Sequence, residues 1–218
     1  MLENMWEPVI LSLKVATIAL IFSFIIGVTA AYFLARKNFP GKVIVETLIM
    51  LPLVLPPTVV GFILIIIFGK HGFVGQLILM LFDQSLLFTW YAAVIASTVV
   101  AIPLMYQSAK TGFLSVDKNI ETVALVDGVS KFRIFTHITM PLAKHALITG
   151  SILAFARALG EFGATLMFAG NIPGRTTTMP TAIYSAIQAG NMEIAWTYVV
   201  IIITISFFMM WFIRSKEN

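Results

Sequence analysis

The chain has 218 residues, of which 59% are hydrophobic and only 11% charged, and its mean hydropathy is +0.97. A soluble domain carries roughly 25% charged residues, so this chain cannot cover a water-facing surface and reads as an integral membrane protein. It contains no cysteine, which excludes disulfides and thiolate metal sites, and its net charge of +4 records membrane topology rather than nucleic-acid binding.

The N-terminus lacks the basic region of a cleaved signal peptide. It carries Glu3 and Glu7, and its first basic residue, Lys14, lies inside an apolar run. The first span is therefore expected to stay in place. A spanning helix needs roughly 20 mostly apolar residues, and five stretches qualify: about 8–35, 43–69, 87–109, 142–169 and 192–213. Continuous apolar runs such as 62–68 do not alternate, which favours helices over a barrel. The expected fold class is thus an all-α membrane protein with five transmembrane helices and a cytoplasmic insert at 117–141, a single domain over 1–218.

Basic residues set the direction. Arg36, Lys37 and Lys42 follow the first span, Lys110, Lys118, Lys131, Arg133 and Lys144 flank the insert, and Arg214 and Lys216 follow the last span. The opposite loops hold Lys70 and Arg175. Positive charge stays inside, so the N-terminus is expected outside and the C-terminus in the cytoplasm.

In chain order, Lys14 lies one to two turns into the first span and reads as snorkelling to the interface or, alternatively, as facing a cavity. The second span holds Pro52, Pro56 and Pro57, three prolines in six positions. Proline removes a backbone donor and disfavours helix in the residue before it, so a kink or break follows. The segment reads either as a lining or hinge of a pathway or as a packing kink. The insert opens with Asp117, a fair helix N-cap, and places Ile120, Val123 and Ala124 on one helical face. Gly128 can take the left-handed conformation that ends a helix. Ser130 can cap a second helix bearing Phe132 and Phe135, and Pro141 marks a later break. Two short helices joined at a glycine elbow are expected, either gripped by a partner or resting on lipid as an amphipathic hairpin. In the fourth span Arg157 and Glu161 share a face at i, i+4 and can pair, while Gly160 and Gly163 permit close backbone approach. The pair reads as a self-neutralising structural lock or, alternatively, as a polar gate. Residues 170–191 read as a turn-rich outer loop followed by a short interfacial or re-entrant helix.

His71, His137 and His145 are too scattered for a metal site, and none is expected. No phosphate loop is present, because Gly69 and Lys70 are followed by His71 rather than Ser or Thr. An ion-coupled carrier or channel would be expected to show acidic or histidine relays within its spans, and here only Glu161 and Glu46 come near that. An intramembrane enzyme would need a nucleophile–base set, and the Ser, Thr and His residues form none.

The insert resembles the signature of permease subunits of ATP-binding-cassette importers, which reads Glu-Ala-Ala, three residues, Gly, nine residues, Ile, one residue, Leu-Pro. It falls here on Thr122, Val123, Ala124, Gly128, Ile138, Met140 and Pro141 with the spacing kept throughout. Thr122 stands for the motif glutamate, with Glu121 one place earlier, Val123 for an alanine and Met140 for the leucine. Further stretches at 12–16, 39–42, 51–57, 154–164 and 170–174, including Gly160, Glu161, Phe162, Gly163 and Ala164, are similar to the molybdate importer permease family. The resemblance covers nearly the whole chain. It implies a non-enzymatic permease in the cell membrane that moves molybdate, with tungstate possible, by alternating access; a sulfate or thiosulfate permease is the alternative within the group. It also implies a homodimer, two ATPase subunits below that bind ATP and Mg, and an external molybdate-binding protein above. It gives no cofactor on this chain and no nucleic-acid partner. The implied ATPase-coupling residues are Glu121, Thr122, Val123, Ala124, Asp127, Gly128, Ile138 and Pro141. The candidate pathway or gate residues are Pro56, Pro57, Arg157, Gly160, Glu161 and Gly163.

Overall fold

The computed structural model describes residues 3–217, and the side chains of Glu3, Asn4, Ile213, Arg214, Lys216 and Glu217 fall outside the described ones. Every regular element among the described residues is helical. In chain order these are α1 (Glu3–Leu34), α2 (Lys42–Val54), α3 (Pro57–Phe68), α4 (Phe73–Phe82), α5 (Trp90–Ser115), α6 (Lys118–Val126), α7 (Lys131–Ile134), a π-helical turn (Phe135–Thr139), α8 (Met140–Leu142), α9 (Lys144–Leu159), α10 (Gly163–Phe168), α11 (Met179–Gln188) and α12 (Met192–Glu217).

Among the described residues α1, α5 and α12 are each long and apolar enough to cross a membrane unbroken. Two further candidates are bent pairs. α2 and α3 meet at 117°, and the Lys131–Leu142 stretch meets α9 at 76°. The second expected span is therefore two helices rather than one kinked rod. The cause is local: Leu55 is extended at φ −67, ψ 144, Pro56 caps α3 and Pro57 occupies its first turn, where a missing N–H costs nothing. The fourth expected span is also interrupted. α9 stops at Leu159, Gly160 to Phe162 leave the helix, and α10 resumes at Gly163.

The core is built around α5, which packs along α1 on one side and α9 on another. Small residues let these backbones approach. Ala16, Ala19, Ala31, Ala101, Ala109 and Ala154 are buried in one cluster with Met105, Tyr106 and Phe113. A Cβ on Gly112 would stand 2.7 Å from that of Ala146, and one on Gly150 would stand 2.5 Å from that of Ser108. Such contacts are the glue of membrane helices, where lipid offers no hydrophobic drive for association. α12 lies against α11 and α9 but remains mostly uncovered, and α2 buries no residue at all.

Two polar ties fix the end of the bundle opposite the insert. The Met179 N–H donates to Ser12 Oγ at 2.7 Å, joining the start of α11 to α1, and Tyr198 Oη donates to the Met5 carbonyl at 3.1 Å. Thr178 and Thr181 form a capping box at the head of α11, which satisfies two helix-end donors reciprocally.

Candidate functional site: an exposed elbow and a double helix break

The insert folds as two short helices about a glycine. Asp117 caps α6, its carboxylate accepting from the Asn119 N–H at 2.9 Å. Gly128 sits at φ +80, in the left-handed region. Its N–H donates to the Leu125 carbonyl at 3.1 Å, and the Val129 N–H donates to that of Ala124 at 3.0 Å. This bond pair is a Schellman stop, which needs glycine for its backbone and not for space. Ser130 then caps α7 through the Arg133 N–H. The second leg is longer than the sequence suggests: α7 runs on through the π turn into α8, and the chain bends only at Ala143.

The two legs present apolar side chains to the surroundings. Val126 is 83% exposed and Phe132 77%, and Val123, Leu125 and Ile120 are exposed beside them. Thr122, Asp127 and Gly128 are exposed as well, Ala124 and Ile138 are half-buried, and Pro141 is exposed. Phe135 turns inward, its ring 4.3 Å from that of Tyr32 and 5.8 Å from that of Phe113.

Glu121, named from the resemblance as a coupling residue, is half-buried. Its carboxylate faces the bundle, pairs with Arg36 and accepts from Thr139 Oγ1 at 2.7 Å. Sequence reading used Arg36 only to set topology. Nothing local links it to Glu121, which lies 85 residues away. A second cation–carboxylate group was equally invisible. Glu46 of α2 accepts from Lys110 at 2.7 Å and from Tyr106 Oη at 2.9 Å, with Lys42 at 4.0 Å. It joins α2 to α5.

The candidate pathway residues come together where the two breaks cross. A Cβ on Gly163 would stand 2.8 Å from the Cβ of Pro57, and one on Gly61 would stand 2.7 Å from that of Met167. The start of α3 thus rests on α10. Arg157 and Glu161 pair as the i, i+4 spacing predicts, and Glu161 does more: its second oxygen accepts the Ala164 N–H at 2.8 Å, holding the first turn of α10. Glu161 is buried, whereas the Arg157 side chain keeps 28% of its exposure. Gly160 has no such neighbour and serves to end α9. Pro56 caps α3.

At the far end a cavity of about 540 Å³ lies between the start of α1, the 171–177 loop, α11 and α12, lined by Glu7, Asn171, Thr177, Ser185 and Tyr198 among others. Lys14 is exposed, and its ammonium lies 3.7 Å from the centroid of the Trp90 ring, a cation–π contact. Among the described residues no cluster of His, Asp or Glu is arranged to hold a metal ion.

The family model for the binding-protein-dependent transport system inner membrane component matches residues 9–215. The chain belongs to this family. Such permeases are multi-pass inner-membrane components of ATP-binding-cassette transporters, and ATP hydrolysis falls to a separate subunit. Over 216 residues the chain is 60% identical to YvgM of Bacillus subtilis (strain 168), a transport system permease protein named provisionally for molybdenum; the match covers 99% of this chain and 95% of that one. It is 43% identical over 188 residues to the molybdenum transport system permease protein ModB of Escherichia coli (strain K12), covering 86% of this chain and 82% of that one. Its fold is similar to that of a chain of the MetNI methionine ABC transporter in an inward-facing conformation, with a TM-score of 0.71, 16% identity and coverage of 99% and 95%.

Proposed function

We propose that this chain is the permease of a molybdate importer and works as a homodimer fed by an external molybdate-binding protein. The near-full-length identity to two permeases named for molybdenum carries this reading. In it the chain crosses the membrane five times, counting each bent pair as one span, with the N-terminus outside and the C-terminus in the cytoplasm. The basic loops support that direction.

The elbow of α6 and α7 then lies in the cytoplasm, where two ATPase subunits dock on Val123, Val126 and Phe132. A ridge of exposed apolar side chains on a rigid bend is a surface made to be covered. The spacing of Thr122, Ala124, Asp127, Gly128, Ile138 and Pro141 supports the same interface. ATP and Mg are held by the ATPases, and this chain binds no cofactor of its own. The far-end cavity faces the binding protein. The crossing of the two helix breaks, with Pro56, Pro57, Arg157, Gly160, Glu161 and Gly163, lies beside the pathway. Irregular backbone at membrane depth is tolerated where protein or a water-filled cavity covers it.

The test is uptake of labelled molybdate by liposomes holding the full complex, with tungstate and sulfate as competitors. ATP-dependent uptake, blocked by molybdate and tungstate before sulfate, is the expected result. Equal competition by sulfate would reassign the substrate, and uptake without the ATPase would overturn the importer reading.

A further inference from the structure

We propose that Arg36 is the positioning residue through which the docked elbow moves the spanning helices. This rests on the reading that the elbow docks on an ATPase. Arg36 lies just beyond the end of α1. One guanidinium nitrogen pairs with Glu121 of α6. The other donates to two backbone carbonyls at the end of α5, Phe113 at 2.7 Å and Val116 at 2.6 Å. Those carbonyls are among the acceptors that a helix end leaves unpaired, so the guanidinium is both a cap for α5 and a tether for α6. Glu121 extends the chain of bonds, because its other oxygen accepts from Thr139 in the π turn. Thr139 is buried. One charged network therefore joins α1, α5 and both legs of the elbow.

The packing makes this network the mechanical link for α6. No residue of α6 is buried, so apolar contacts do not hold it to the bundle. Its outward side chains are left for the partner, and Glu121 is its fixed point. The second leg has another hold, the stacking of Phe135 on Tyr32 and Phe113. A displacement of α6 by the motor is thus passed on by Arg36 to the ends of α1 and α5 together. A planar fork suits this task, since Arg reaches the carboxylate and the two carbonyls from separate nitrogens held in one plane, whereas Lys would have to bring all three acceptors to a single nitrogen. Without it α6 follows the ATPase while the bundle stays behind, so nucleotide is spent with little transport.

The measurement is the number of ATP molecules hydrolysed per molybdate imported, by the complete complex in liposomes, alongside co-purification of the ATPase. Arg36→Gln is expected to raise that ratio by about tenfold, the scale of one lost charge-assisted contact, with co-purification unchanged. Arg36→Lys is expected to fall between Gln and wild type. Thr139→Val, which removes only the bond to Glu121 and keeps the side-chain shape, is expected to raise the ratio by a smaller factor. An unchanged ratio in Arg36→Gln and Thr139→Val overturns the proposal, as does loss of ATPase binding in step with loss of transport. If the wild-type permease retains no ATPase, the docking reading itself falls, and that outcome is separate from coupled transport by an Arg36 variant.

Discussion

The elbow at Gly128 offers a clean perturbation because its demand is purely conformational. Gly128 has φ +80, and a Cβ built there meets nothing within 4 Å. Any cost of substitution is therefore backbone strain and not a clash. A left-handed residue bearing a Cβ costs roughly 1–2 kcal/mol, with β-branched residues at the upper end and asparagine well tolerated. One to two kcal/mol changes an equilibrium by about 5–30-fold, so Gly128→Val should reduce the weight of the bent elbow by that order. Gly128→Ala should fall between, and Gly128→Asn should stay near wild type. Membrane insertion should be unaffected, since Gly128 lies outside the packed core. The assay is molybdate uptake in liposomes holding the complete complex, with permease yield measured in parallel. Wild-type transport by Gly128→Val would refute the strained-elbow argument. Equal loss in the Asn and Val variants would refute it differently, by showing that the site excludes any side chain.

Arg157→Gln should lower the thermal midpoint of the purified permease more than Arg157→Gln combined with Glu161→Gln, because it strands a buried carboxylate. The cost should be below the roughly 3–5 kcal/mol of a fully buried pair, since Arg157 keeps 28% exposure; equal midpoints for the single and double variants would contradict the pairing. Ser12→Ala should cost about 1–3 kcal/mol by leaving the Met179 N–H unpaired in a buried site, read as a lower midpoint in the same detergent. Gly163→Val should impair folding or transport, because its side chain would enter space held by Pro57, while Gly160→Ala, with no such neighbour, should be tolerated in both yield and uptake.

What could be read from the sequence was what local chemistry settles. Asp117, Gly128 and Ser130 mark helix ends by rules that act within four residues, and the elbow appeared where they placed it. The pairing of Arg157 with Glu161 is legible in the i, i+4 spacing, although Glu161 lies just past the end of α9 and keeps the pair across the break. Pro56 and Pro57 announced a discontinuity, but local rules set no angle for it, and the 117° turn and the contact of α3 with α10 are seen only in the fold. The misses are long-range. Glu121 sits one place before Thr122, in the position of a near-miss for the motif acid, and only the fold brings Arg36 to it. Glu46 finds Tyr106 and Lys110 from 60 and 64 residues away. The contact of Lys14 with Trp90 arises because α1 and α5 lie side by side. The interruption after Leu159 was also missed, since a single glycine is common inside membrane helices and only the Glu161 cap reveals a new start.

The chain contains no cysteine, so a single Val126→Cys places one thiol at the tip of the elbow. Labelling by a membrane-impermeant maleimide should occur from the cytoplasmic side alone in the isolated permease and be blocked once the ATPase is assembled. Labelling from the opposite side, or equal labelling with and without the ATPase, would contradict the account of an elbow gripped from the cytoplasm.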